Sequence, residues 1–596
     1  MSSIKKNIPV LLILVLGLNC NVGFKHDTNK VTGELKKWYP VTISFHGPFH
    51  KESQNNPNPF LDYRLQVIFR SPEGKLYDVP GFFDGNGDGI NQGKIWKVRF
   101  SPDEVGEWNY KASFRKGPDI AVKLENDAGE ACFFNGASGS FFIKEIDESA
   151  PGFLKWGRLE YVGSHYLKFR DGPYWVKGGA DSPEDFLAYK GFVNTPRATH
   201  SYIDHVKDWE KGDPDWNDGA GKGIIGALNY LASQYVNSIY FLTMNIGGDG
   251  KNVWPFSGTV NEKGDVDNDN LHFDICKLNQ WNEVFRHAQN KGIALHFVLN
   301  EAEEANKLEL DSTALGIERK LYYRELIARF AHHLALQWNL CEEYNLKIKL
   351  SPELIKSYAQ YIKDIDPYDH PVTVHHSGNV LKAWRPFLND NKFPVTSFQW
   401  EYTDFVETWR HKSDSAGFPQ VVHIDELFPD KSNASNADRH RREYIWPIYL
   451  SGGGMELILE DLIKTDNFRD YEILWKYVWY ARKFMQENLP FHEMNPMDNL
   501  LSLESTFQGK NNVVEGQVFA QKNEYYAIYL PNAIRTGSLD LSGTSGNFLK
   551  SWYNPRTGEF KDAEKEFTGG RIVELGAPPA EASEDWVVLI KRMPKD

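Results

Sequence analysis

Hydrophobic and polar residues alternate near both ends of the chain and run in longer blocks through its middle. From Trp38 to Ile146 the pattern is strand-like, as in Tyr63-Arg64-Leu65-Gln66-Val67-Ile68-Phe69 and Ile95-Trp96-Lys97-Val98-Arg99-Phe100, with turn formers such as Pro72-Glu73-Gly74 in between. Short strands at this spacing predict an Ig-like β-sandwich. After Pro151, apolar strand-like runs alternate with amphipathic stretches, the pattern of parallel βα units. Strand candidates end near Gly178, Met244, Leu299, Leu340, His375, Gln399, Ile424 and Leu459. Helical patterns cover Lys277 to Lys291, Leu321 to Phe330, Glu353 to Ile365, Asp438 to Leu450 and Tyr471 to Glu487. Eight such units predict a (β/α)8 TIM barrel. From about Leu500 strand-like runs return, for example Glu524-Tyr525-Tyr526-Ala527-Ile528-Tyr529-Leu530, and predict a second β-sandwich. The expected plan is a leader at 1–19, a tether at 20–36, a sandwich at 37–148, the barrel at 149–492 and a last sandwich at 493–596.

The 596 residues exceed what one core organises, which agrees with a multidomain chain. A net charge of -14 argues against a nucleic-acid partner, because phosphate binding needs a clustered basic excess. Lys5 and Lys6 followed by the apolar run Ile8 to Leu18 read as an export signal, too short for a transmembrane helix. Cys20 stands where a lipoprotein signal places its acylated cysteine, so any membrane contact is expected through that anchor, in the periplasm or at the surface of a Gram-negative-type cell. The remaining cysteines, Cys132, Cys276 and Cys341, show neither metal spacing nor a disulfide framework. No cofactor is expected.

Reactive groups of such barrels sit where strands end. The fourth strand exits through Trp338-Asn339-Leu340-Cys341-Glu342-Glu343, and the seventh through His423-Ile424-Asp425-Glu426. Two carboxyl groups on separate strand ends supply what glycosidic cleavage requires, one to protonate the departing oxygen and one to attack or to activate water. Histidines near strand ends, His200, His375, His376 and His423, suit contacts to sugar hydroxyls or to a carboxylate. Asp181, Asp249, Trp254, Trp400 and Tyr402 are further candidates to line subsites, and Gly247, Gly248 and Gly250 predict a tight loop with close backbone approach. Asp84-Gly85-Asn86-Gly87-Asp88-Gly89 opens like a calcium loop, but its twelfth position, Ile95, lacks the bidentate Glu, so a β-turn is expected.

Several strings together resemble a bacterial glycoside hydrolase group with an N-terminal domain of unknown function, an apiosidase-like barrel and a C-terminal domain labelled collagen-binding. They are Gly81-Phe82-Phe83-Asp84-Gly85, Gly106-Glu107-Trp108, Asn245-Ile246-Gly247-Gly248-Asp249-Gly250, Lys320-Leu321-Tyr322-Tyr323-Arg324-Glu325, Trp338-Asn339-Leu340, Asp366-Pro367-Tyr368-Asp369-His370-Pro371 and Trp552-Tyr553-Asn554-Pro555-Arg556-Thr557-Gly558. The resemblance implies a retaining glycosidase with Glu343 as acid/base and Glu426 as nucleophile, and, by analogy, a plant or algal cell-wall glycan as substrate; Glu342 stays open as the alternative acid/base and is otherwise a candidate substrate contact. Cys341 and Tyr344 depart from the group's usual Gly and Asn, which leaves room for a glycan-binding lipoprotein without catalysis; the histidines His375, His376 and His423 leave a third reading, a metal-dependent barrel hydrolase.

Overall fold

The computed structural model describes residues 29–260, 266–399, 405–427, 431–503, 505–510 and 513–594. The expected leader, Cys20, Trp400 and Tyr402 lie outside them.

Eight parallel strands form the centre: β1 Gly178–Ala180, β2 Ser238–Leu242, β3 Ala294–Val298, β4 Leu336–Asn339, β5 Val372–Thr373, β6 Phe398–Gln399, β7 His423–Glu426 and β8 Gly454–Leu457. The ladder runs β5-β4-β3-β2-β1-β8-β7-β6. Among the described residues one parallel bridge, His375 to Ser397, joins its two ends and closes the barrel. Strands buried on both faces read as continuous apolar runs, and β2 and β3 are buried at every position. Observed ends fall within two residues of those expected for each strand.

Helices cover the outside. Ile275–Lys291 starts at Asp274, whose side chain accepts from the Lys277 amide, and stops at Gly292 in the left-handed region. Pro352–Ile365 starts at Ser351 in the same way, with Pro in its first turn. The stretch expected as one helix from Asp438 to Leu450 is interrupted by a π-turn at Arg441–Ile445. A helix at Lys222–Ser233 was not apparent from the pattern, since Gly223 and Gly226 weaken its helical signal.

The N-terminal domain packs an antiparallel sheet holding Val41–Lys51 and Gln92–Phe100 on another holding Tyr63–Arg70 and Gly106–Lys116. Rings meet between the sheets, Phe69 on Phe100 at 4.2 Å and Trp96 against Phe114 at 4.8 Å. This sandwich docks on the barrel helix Ile317–Phe330: Arg324 and Arg329 donate to the carbonyls of Leu65 and Phe83, each at 2.8 Å. In the calcium-like loop, Lys97 Nζ sits 2.6 Å from both Asp84 Oδ2 and the Gly87 carbonyl, so an ammonium from the chain satisfies the turn.

A six-stranded and a three-stranded antiparallel sheet share one core in the C-terminal domain. It packs on the barrel through Trp446 stacked on Tyr529 and Phe484 against Tyr553.

Candidate active site

The C-terminal ends of β1, β3, β4, β6 and β7 bring a dense set of carboxyl groups together. Glu426 ends β7 and Gln399 ends β6, one strand away in the ladder. Gln399 Nε2 donates at 3.0 Å to Glu343 Oε1 and at 3.0 Å to Glu426 Oε2. Two such bonds to one nitrogen cannot place the accepting oxygens further apart than twice that length.

Glu343 holds a left-handed backbone (φ 39°), and its carbonyl accepts from Lys307 Nζ at 2.8 Å. A non-glycine residue in this region costs about 1–3 kcal/mol and persists only where its surroundings fix it. The turn leaves the Glu343 side chain half-buried at the cleft, while Glu342 is buried with 7% exposure. Glu342 lies instead in a carboxylate group with Glu184, after β1, and Glu301, after β3, with one oxygen of each within 4.8 Å of the others. Burial, and then the charges of Glu184, Glu301, Glu426 and Asp181, hold the Glu342 carboxyl well above the ordinary range. Glu426, 7% exposed, is pushed up to about 7 by burial first and by the charge of Glu343 second.

The expected tight glycine loop has a clear physical role. The Asp249 amide donates to both Glu301 oxygens at 2.9 and 3.0 Å, and a Cβ on Gly248 would lie 2.1 Å from Glu301 Oε2. Only glycine allows that approach.

Several candidates come together here. Asp181, 2% exposed, has one carboxyl oxygen without a hydrogen bond, and the charges of Glu184 and Glu426 add to burial in raising its pKa. His375 Nε2 is 3.5 Å from Glu426 Oε2, and His376 Nε2 accepts from the Gln399 amide at 3.3 Å. Asp249 lies beside them through its backbone amide.

Others do not reach the site. His200 turns its nitrogens to Asp185 (2.8 Å) and Asp466 (3.4 Å) and is 1% exposed, which leaves no edge for a sugar. Trp254 is enclosed in the core under the Lys277 ammonium, 5.2 Å from its ring, so its faces are not open to stacking. His423 begins β7 whereas Glu426 ends it, and its ring meets Trp175, before β1. The three-histidine arrangement of the metal-dependent reading is therefore not formed. The two departures face away from the cleft: the Cys341 thiol is fully buried and pushed up to about 11, and Tyr344 donates to the Ala383 carbonyl at 2.6 Å.

Gln399, Glu184, Glu301 and Tyr240 were not among the sequence candidates. The Tyr240 hydroxyl is buried without a hydrogen bond, and the charges of Glu342, Asp181, Glu184 and Glu426 add to burial in raising its pKa. Inspecting every strand exit would have found Glu301, two residues after Leu299; Gln399 carries no charge to mark it.

Below this layer, Lys177 Nζ lies 2.7 Å from Asp425 and 2.7 Å from Glu456, and His296 Nδ1 lies 2.8 Å from Glu456, all at 0% side-chain exposure. Asp425 thus serves the barrel interior and leaves Glu426 to the cleft.

Glu342 also makes a stability prediction. Its folded carboxyl keeps a proton that the unfolded chain releases, so stability falls as pH rises from the ordinary carboxyl range toward the raised value. Glu342→Gln removes that ionisation. The melting temperature of the variant should fall less between pH 5 and pH 8 than that of the wild type, by a few degrees, at ~2–4 °C per kcal/mol. Equal falls in calorimetry would show that Glu342 carries no such cost.

Comparison with known proteins supports the architecture. Residues 34–115 match the family model "Domain of unknown function (DUF5060)", and residues 504–591 match "Putative collagen-binding domain of a collagenase". No curated protein matches the chain. Among solved structures, a "putative glycoside hydrolase" from Bacteroides vulgatus ATCC 8482 superposes with a TM-score of 0.65 at 15% identity, covering 94% of this chain and 99% of that one. A glycoside hydrolase family 5 protein from the same organism gives 0.54 at 15% identity, over 74% of this chain and 94% of its own. A third structure, described only as a glycoside hydrolase, gives 0.55 at 16% identity, over 75% of this chain and 100% of its own. At this identity the likeness is one of fold.

Proposed function

We propose that the chain is a retaining glycoside hydrolase in which Glu426 attacks the anomeric carbon while Glu343 protonates the leaving oxygen. The observation that carries this reading is the shared Gln399 amide, which holds the two carboxyl groups across one cleft. Retention needs a separation of about 5–5.5 Å and inversion about 6.5–9.5 Å; a donor shared by one oxygen of each carboxyl group favours the shorter spacing. Glu343 suits the acid/base role better than Glu342, because a group that gives a proton and later takes one from water must reach solvent. Glu342, buried among Glu184 and Glu301, is placed to contact a sugar hydroxyl. Glu426 attacks as the carboxylate and forms a glycosyl ester; the leaving oxygen takes the Glu343 proton. Water then gives its proton to Glu343 and opens the ester, restoring both groups.

Facing, fixed acids favour catalysis over the rival reading of simple glycan capture. A cell-wall glycan of plant or algal origin is the proposed substrate, and export with lipidation at Cys20 the proposed route to it. The test is release of reducing ends from a panel of such polysaccharides, with Glu426→Gln as control and proton NMR of the first product. Release of the retained anomer by the wild type alone is expected. No release from any panel member, or release of the inverted anomer, would overturn the reading.

A further inference from the structure

Three groups of metal-ligating side chains occur among the described residues, and they differ in what neutralises them. His296, Asp425 and Glu456 enclose the Lys177 ammonium, so that group holds a cation of its own. Glu184, Glu301 and Glu342 are carboxylates only. The third group, Glu342, His375 and Glu426, combines two carboxylates with an imidazole, and one ligand atom of each lies within 4.8 Å of the others. Among the described residues, no Lys or Arg nitrogen forms an ion pair with either carboxylate; the partner recorded for Glu426 is His375, at 3.5 Å.

His375 supplies the independent observation. It is 1% exposed, and neither ring nitrogen makes a hydrogen bond. A buried imidazole without a partner forgoes about 1–3 kcal/mol. Its backbone is fixed on both sides, since its amide donates to Asn339 Oδ1 and to the Cys341 carbonyl, each at 3.1 Å, and the bridge to Ser397 closes the barrel here. The ring is therefore held at the mouth with a free lone pair facing two carboxyl oxygens.

We infer that Glu342, His375 and Glu426 form a binding site for a late first-row divalent cation such as Zn2+. One imidazole nitrogen and two carboxylate oxygens suit zinc and its neighbours, whereas Ca2+ and Mg2+ take oxygen ligands throughout. Glu184, Glu301 and Asp181 surround the site with further negative potential. Binding requires the carboxylate forms of Glu342 and Glu426 and occupies the lone pair with which Glu426 would attack. On the proposed hydrolase reading, the ion is consequently an inhibitor that competes with substrate for the nucleophile.

The test uses the full chain purified in chelator and then dialysed. Titration with Co2+, read by visible absorption, and with Zn2+, read by calorimetry, should give one equivalent bound at micromolar affinity. His375→Ala and Glu342→Gln, checked for folding by circular dichroism, should each weaken binding at least about tenfold. Where hydrolysis is measurable, Zn2+ should inhibit it at the same concentration, with reversal by EDTA. Absence of stoichiometric binding, or binding unchanged in both variants, would overturn the site. Metal binding without any hydrolysis would retain the site and discard the hydrolase reading; hydrolysis without metal binding would do the reverse.

Discussion

Glu426→Gln should lower kcat/KM at least about a thousandfold with the fold intact, because an amide neither attacks carbon nor forms the ester intermediate. Glu343→Gln should be equally severe on a natural glycan and far milder on an aryl glycoside whose leaving group needs no proton. The pH profile separates the two roles. Burial and then the Glu343 charge push Glu426 up to about 7, so the two groups share their protons as a pair, and kcat/KM should rise on the limb where Glu426 becomes the carboxylate while the pair still keeps one proton. In Glu343→Gln the neighbouring charge is gone, the carboxylate form of Glu426 is favoured, and the limb moves to lower pH. Wild-type turnover in either variant would remove that residue from its role, and an unmoved limb in Glu343→Gln would show that the two groups do not sense each other.

The second large effect is structural. Asp585, fully buried in the C-terminal domain, accepts from Arg441 of the barrel through Nε and Nη2, both at 3.0 Å. Arg556 reaches it at 3.3 Å, and the Tyr529 hydroxyl donates to it at 3.2 Å. Asp585→Ala leaves buried guanidinium groups facing an empty position, and breaking a buried pair from one side costs about 3–5 kcal/mol. The variant should melt several degrees lower and release its C-terminal domain under mild proteolysis. Asp585→Asn, which keeps the shape and loses the charge, should fall between. A melting temperature within a degree of the wild type would mean the domains are held by their aromatic contacts alone.

The architecture was legible because burial on both faces leaves a strong mark: apart from Ser238 and His296, β2 and β3 are apolar and stand out against amphipathic flanks. Glu426 was legible as an acid ending such a run. Choosing between Glu342 and Glu343 was beyond the sequence, since the left-handed turn at Glu343 sends neighbouring side chains to different places. The same holds for His375 and His376, adjacent in the chain, of which one meets Glu426 and the other the Gln399 backbone. Trp254 and His200 misled because residue type reports chemistry without reporting burial. Gln399 was silent for the opposite reason: a neutral amide at a strand end has no charge to draw notice, and its importance arises only when two distant acids meet at it.

Among the described residues, the junction between β5 and β6 is made by one bridge, His375 to Ser397, and that between β1 and β2 by one register pair, Ala180 to Ile239. His375 and Gln399, whose side chains lie 3.5 and 3.0 Å from Glu426, flank the first of these. Parting such a junction sacrifices few backbone hydrogen bonds, and one of these two lies beside Glu426.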